Sequence, residues 1–197
     1  MKIRDLLHKR HKLNGFTLVE LMVTVAIVAI LMAVGAPQLR GFLQKQQVAA
    51  DVESLTSAIH MARSEALKRS GRVSICALSG ADFAVSTDAV CAGNAETNWS
   101  HGWLIYIDYS NGAGYASTTD TVLQVERTVR SGSITGTTGI ISFMANGLTA
   151  SDNGSLIIKP KGTADTDPAC KKWTLSRQGR FARDTTTTGC VAPVKSK

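Results

Sequence analysis

Residues 12–37 read KLNGFTLVELMVTVAIVAILMAVGAP, and between Lys12 and Arg40 the only charged side chain is Glu20. A helix needs a run of about 20 apolar residues to cross the hydrocarbon core of a bilayer. This stretch therefore reads as a membrane-spanning helix rather than part of a small water-soluble core. A carboxylate inside such a span is costly without a cation beside it, which makes Glu20 a functional candidate. Five cations precede the span, Lys2, Arg4, Lys9, Arg10 and Lys12, against one acid, Asp5. The positive-inside rule then holds the N-terminal side in the cytoplasm and sends everything after about residue 40 across the membrane.

An ordinary secretory signal has a shorter apolar region and a small-residue cleavage site after it. Here the run is too long, no such site follows, and the conspicuous glycine, Gly15, comes before it. The junction GFTLVELMVTVAIVAIL resembles that of a type IV prepilin. The resemblance implies that a prepilin peptidase cuts between Gly15 and Phe16 on the cytoplasmic face and N-methylates Phe16. It also implies that Glu20, the fifth mature residue, pairs with the N-terminal amine of a neighbouring subunit during filament assembly. The physics agrees, because a carboxylate in lipid needs a cation and the freed amine of Phe16 supplies one. The competing reading is a generic single-pass anchor with Glu20 tolerated near the interface. On the prepilin reading the chain divides into a cleaved leader (1–15), a transmembrane half-helix (16–36), an amphipathic half-helix (37–71) and a periplasmic head (72–197).

The formal charge of +7 overstates the working protein, since much of the excess lies in the leader. Four cysteines, Cys76, Cys91, Cys170 and Cys190, all follow the membrane segment. An even count in an oxidising compartment reads as two disulfides. Three pairings are possible; Cys76–Cys91 and Cys170–Cys190 are favoured because each closes a short local loop. Zinc is the other use of such residues, but the chain has no C-x-x-C or comparable ligand spacing.

From Gln38 to about Ser70, Leu39, Phe42, Leu43, Val48, Val52, Leu55, Ile59, Ala62 and Ala66 recur at spacings of three and four, one apolar helical stripe. Lys45, Asp51, Glu53, Arg63, Lys68 and Arg69 fall mostly off it. Gly71 reads as the stop, and Pro37 and Gly41 as points of local loosening. Beyond lie candidate strands Arg72–Leu78, Trp103–Tyr109, Val122–Val129, Ile140–Met144, Leu156–Lys159, Lys172–Leu175 and Gly179–Ala182. Asn111-Gly112, Asn146-Gly147 and Asn153-Gly154 mark turns. Ser79–Ser100 and Ser110–Thr121 read as loops. The fold class is α+β, a long N-terminal helix packed on a β-rich antiparallel-sheet head.

The order of long helix, RSEALKRSGRVSICA, GWLIYID and a late Gly-Arg segment resembles the FimT/GspH group of minor pilins and pseudopilins. The resemblance implies a low-abundance subunit of a type IV pilus or a type II secretion pseudopilus. It sits in the inner membrane before assembly and in the filament afterwards, with other pilin or pseudopilin subunits as partners and no cofactor.

Neither a triad nor paired carboxylates stand out, so the chain reads as a non-enzyme. His60 and His101 read as solvated or packed, and Asp152, Asp165 and Asp167 lack the run of oxygen ligands a calcium loop needs. Asn98-Trp99-Ser100 is a glycosylation sequon only by coincidence. The segment KKWTLSRQGRFAR holds Lys171, Lys172, Arg177, Arg180 and Arg183, with Trp173 and Phe181 interleaved and no acid before Asp184. Such a patch can neutralise phosphates while its aromatics stack on bases. In FimT-like pilins of transformable bacteria a late G-R-x-R element is implicated in capturing DNA without sequence specificity. Here Gly179-Arg180-Phe181-Ala182-Arg183 brings the second arginine one residue late. If the segment is extended, Arg180 and Arg183 point apart; in a turn or loose tail both can still face one strand of DNA. The alternatives are an edge strand protected by charge, and a purely structural GspH-type pseudopilin.

Overall fold

The computed structural model describes residues 16–80, 91, 93–95, 97–112, 114–150, 154–186 and 189–190. The leader with Gly15, the loop segment 81–90, Asp152 and Asn153 lie outside the described residues. The chain divides into two compact units, Met1–Gly41 and Phe42–Lys197. Helix α1 (Leu18–Arg69) runs through the boundary. In the N-terminal unit the apolar side chains are bare: Phe16, Leu18, Leu21, Met22, Ile30, Leu31 and Met32 are all exposed. α1 is long and apolar enough to cross a membrane.

Both ends of α1 have a local cause. At the N-terminus Thr17 Oγ1 accepts the backbone N–H of Glu20 at 3.2 Å, a capping bond made by the residue just before the helix. At the C-terminus the Gly71 N–H reaches the Ala66 carbonyl and the Ser70 N–H that of Leu67, a Schellman closure. The left-handed residue is Ser70 (φ 49°) rather than the expected glycine, Gly71.

The head is built from eight strands: β1 (Val73–Ala77), β2 (Trp103–Ile107), β3 (Thr121–Glu126), β4 (Gly132–Gly136), β5 (Ile140–Phe143), β6 (Gly154–Pro160), β7 (Lys171–Leu175) and β8 (Phe181–Arg183). They form two four-stranded antiparallel sheets, β3-β2-β1-β5 and β4-β6-β7-β8. In α1 the buried positions Val48, Leu55, Ala58, Ile59, Ala62 and Ala66 share one core with inner residues of both sheets. Val73, Ile75, Trp103, Ile105, Ile141 and Phe143 come from the first; Ile134, Leu156, Ile158, Leu175 and Phe181 from the second. β1 and β2 are buried on both faces: Cys76, Leu78, Leu104 and Tyr106 pack in a second cluster on the far side of the first sheet. That is why VSICA and WLIYI are almost wholly apolar instead of alternating. Cys76 is disulfide-bonded to Cys91 and Cys170 to Cys190.

Several expectations are corrected. The antiparallel-sheet head is made of two sheets, and β4, GSITG, which is not among the expected strands, pairs with β6 along its length. The third strand ends at Glu126, not Val129, and the last runs Phe181–Arg183 with Gly179 left in a turn. The apolar stripe is buried only from Val48, since Leu39, Phe42 and Leu43 are exposed. Asp51, expected off the stripe, is fully buried: its carboxylate accepts the backbone N–H groups of Arg130 at 3.0 Å and Ser131 at 2.6 Å. Those residues belong to the connection that leaves the first sheet for the second. Trp99 lies in a loop as expected, yet is fully buried there and donates its indole N–H to the Thr138 carbonyl at 2.9 Å.

The close approach of β2 to β3 begins at Gly102, where φ is +103° and a Cβ would stand 2.0 Å from the Glu126 carbonyl oxygen. Gly102→Ala therefore combines a disfavoured backbone conformation with a backbone clash. We expect it to lower the head's unfolding free energy by about 3 kcal/mol. Urea unfolding followed by tryptophan fluorescence checks this, since all three tryptophans lie in the head.

Candidate functional site

Two regions carry the residues singled out by the sequence. At the start of α1, Phe16 is 76% exposed and Glu20 is exposed in the helix's first turn. Thr17-Leu18-Val19-Glu20 has the T-x-x-E form of a capping box, in which a glutamate at the third helical position can return a bond to the cap. Glu20 thus has a possible local role besides any role between subunits, and the two differ in what they demand. A cap accepts glutamine as readily as glutamate; pairing with an amine needs the charge.

The second region is the β7–β8 hairpin. Its turn is set by local chemistry: the Gly179 N–H bonds to the Ser176 carbonyl, and the Ser176 N–H to that of Arg180. Gly179 has φ +74°, and a Cβ there would lie 2.9 Å from the Gly147 carbonyl oxygen. The glycine ahead of Arg180 is thus required by backbone geometry. From α1 the Arg63 guanidinium donates to the Gly179 carbonyl at 3.4 Å.

Strand alternation sorts the five cations. Trp173 pairs with Arg183 and Leu175 with Phe181. Leu175 and Phe181 are core residues, so Lys171, Trp173 and Arg183 share the helix-facing side. Lys172 lies on the other face, where its ammonium meets the Asp184 carboxylate at 3.3 Å. Two hydrogen bonds from Thr186, the largest contribution, and then Lys172 hold the Asp184 carboxyl below its ordinary pKa. Arg180 and Arg177 are exposed in the turn. Arg180 thus lies in the turn before β8, whereas Arg183 ends β8 on the helix-facing side. The aromatics are not free to read bases as a pair: Phe181 is buried, and it stacks on Trp173 with ring centroids 5.1 Å apart.

The helix-facing cations have a companion that the segment alone does not reveal, Lys45 of α1. Burial, then the charges of Arg183 and Lys45, hold the Lys171 ammonium below its ordinary pKa, with Asp167 acting the other way. The signal for Lys45 was in the sequence as a cation just before the buried stripe, but its proximity to residues 171 and 183 is tertiary.

Comparison with known proteins gives a consistent answer. A family described as type II transport protein GspH matches residues 51–188. A second, the prokaryotic N-terminal methylation motif, matches residues 10–36. Among solved structures, the type IV minor pilin FimU of Pseudomonas aeruginosa is similar in fold at 20% identity and a TM-score of 0.53. That match covers 76% of this chain and 99% of FimU. A second crystal form of FimU matches at 19% identity and a TM-score of 0.50, covering 73% of this chain and 99% of that one. No curated protein sequence matches the chain significantly.

Proposed function

Because the chain belongs to the GspH family of minor pilins and pseudopilins, we propose that it is a FimT-type minor subunit of a type IV pilus whose head contacts extracellular DNA. Its family consists of structural filament subunits rather than enzymes, and membership implies assembly with other pilin subunits. In this reading the peptidase removes residues 1–15, residues 16–36 anchor the chain in the inner membrane, 37–71 continue the helix and 72–197 form the periplasmic head. Glu20 pairs with the methylated amine of Phe16 in a neighbouring subunit. The exposed apolar half-helix, with one carboxylate five residues from the cleavage point, carries the assembly reading: those side chains must be covered by lipid or by other helices.

The DNA reading rests on Lys171, Arg180 and Arg183 of the β7–β8 hairpin, none of which forms a salt bridge with a carboxylate among the described residues. Lys172 is excepted, since Asp184 already meets it. DNA contact through lysine and arginine on phosphates is independent of sequence and weakens steeply with salt. The full chain in detergent, titrated with labelled duplex DNA at low and moderate salt beside an Arg180→Gln/Arg183→Gln variant, tests it. Salt-sensitive binding that falls about tenfold or more in the variant supports the reading. Absence of binding by the intact chain leaves a GspH-type structural pseudopilin of a secretion system. One observation favours that second reading already: Arg180 lies in the turn before β8 while Arg183 lies on the helix-facing side of the strand.

A further inference from the structure

Between α1 and the β7–β8 hairpin lies a pocket of about 210 Å³ lined by Lys45, Val48, Ala49, Val52, Lys171, Trp173 and Arg183. Three of the seven side chains are cations, none is an acid, and the floor is aliphatic with one indole. All belong to the Phe42–Lys197 unit. The three cations come from three separate elements, so their convergence is a product of folding and not of a local basic run.

Two of them carry no counter-charge: among the described residues neither Lys45 nor Arg183 forms a salt bridge with a carboxylate. Lys171 makes one hydrogen bond, to the Pro168 carbonyl at 2.9 Å. The Trp173 indole N–H is buried without an acceptor. A pocket with three cations and no acid calls for a compact anion rich in acceptor oxygens. A single carboxylate offers one charge and two oxygens. A phosphate presents more oxygens to donors arranged around it, and an arginine fork suits its geometry. The aliphatic floor suits the sugar carbons attached to such a phosphate.

We propose that this pocket is the phosphate seat through which the head holds a nucleic-acid backbone, with Lys45 of α1 closing a site begun by Lys171 and Arg183. The inference rests on the DNA reading above and moves its centre from the hairpin turn to the helix-facing side. Arg180 then has no direct part in it. Burial and the charges of Arg183 and Lys45 depress Lys171, and an anion entering the pocket offsets the repulsive part of that shift.

The test uses the full chain in detergent and two probes, inorganic phosphate and a labelled duplex. Trp173 reports occupancy, because Trp99 and Trp103 are fully buried and give a constant background. Phosphate is expected to change Trp173 fluorescence saturably and to protect it from iodide quenching. Lys45→Gln, at an exposed helix position, is expected to weaken DNA binding about five- to tenfold and to lower the salt slope by about one unit. Lys171→Gln should do likewise, whereas Arg180→Gln should leave both probes nearly unchanged. Unaltered DNA affinity in Lys45→Gln with a loss in Arg180→Gln would overturn the pocket and leave the DNA reading standing. Saturable phosphate binding without any DNA binding would overturn both, marking a site for free phosphate only.

Discussion

Asp51→Ala is expected to lower the unfolding free energy of the head by about 3–5 kcal/mol, the largest stability change we anticipate for any single side chain. The substitution strips acceptors from the N–H groups of Arg130 and Ser131 in a region where Asp51 itself has no exposed surface. Each buried donor left unsatisfied costs about 1–3 kcal/mol, and bonds to a charged acceptor are the stronger kind. Asp51→Asn should fall between, because its amide keeps one oxygen and turns an NH2 toward the other donor. Urea unfolding of the full chain in detergent, followed by tryptophan fluorescence, reads the difference. A loss below about 1 kcal/mol for alanine would mean that the connection between the sheets is held by other contacts.

Glu20→Ala and Glu20→Gln are expected to leave cleavage after Gly15 largely intact and to reduce incorporation into filaments by about tenfold or more. The pair separates the two roles open to this side chain. If its function is to complete the cap begun by Thr17 Oγ1, glutamine restores incorporation, since it serves a capping box as well as glutamate does. If its function is to meet an amine in a lipid-like interior, glutamine fails almost as badly as alanine, because the charge is what compensates the amine. Quantifying the variant subunit in sheared filaments, with leader removal followed by mass, distinguishes the cases. Recovery of assembly by Glu20→Gln would end the amine-pairing role.

How much of this was legible in the residues depends on the range of the interactions involved. The span around Glu20, the helix and most strands were readable because each is marked by local pattern: unbroken apolarity, three-four spacing, or β-branched runs between turn residues. β4 was not, since its glycines and hydroxyl residues lack any strand signal and it owes its conformation to pairing with β6. Asp51 was misplaced for a related reason. A charged residue inside an amphipathic helix is assigned by default to solvent, and nothing in the sequence names the two backbone N–H groups 79 and 80 residues away that justify burying it. The basic segment was visible as a string of residues, but strand alternation and Asp184 divide that string, and Lys45 joins it only in three dimensions.

The sharing of one helix stripe by both sheets also has a mechanical meaning. On the proposed assembly reading, neighbouring subunits hold the chain by the exposed half of its helix, and load enters the head through that helix. In the head that helix is held from Val48 to Ala66, about 27 Å at 1.5 Å per residue, by side chains of two sheets at once. Tension along the axis therefore acts on all of those contacts together, as a sliding joint does, and cannot open them one after another from an end. Asp51, bonded to the link between the sheets, sets a transverse pin within that joint, so the part of the fold that carries load is also the part that keeps its two halves together.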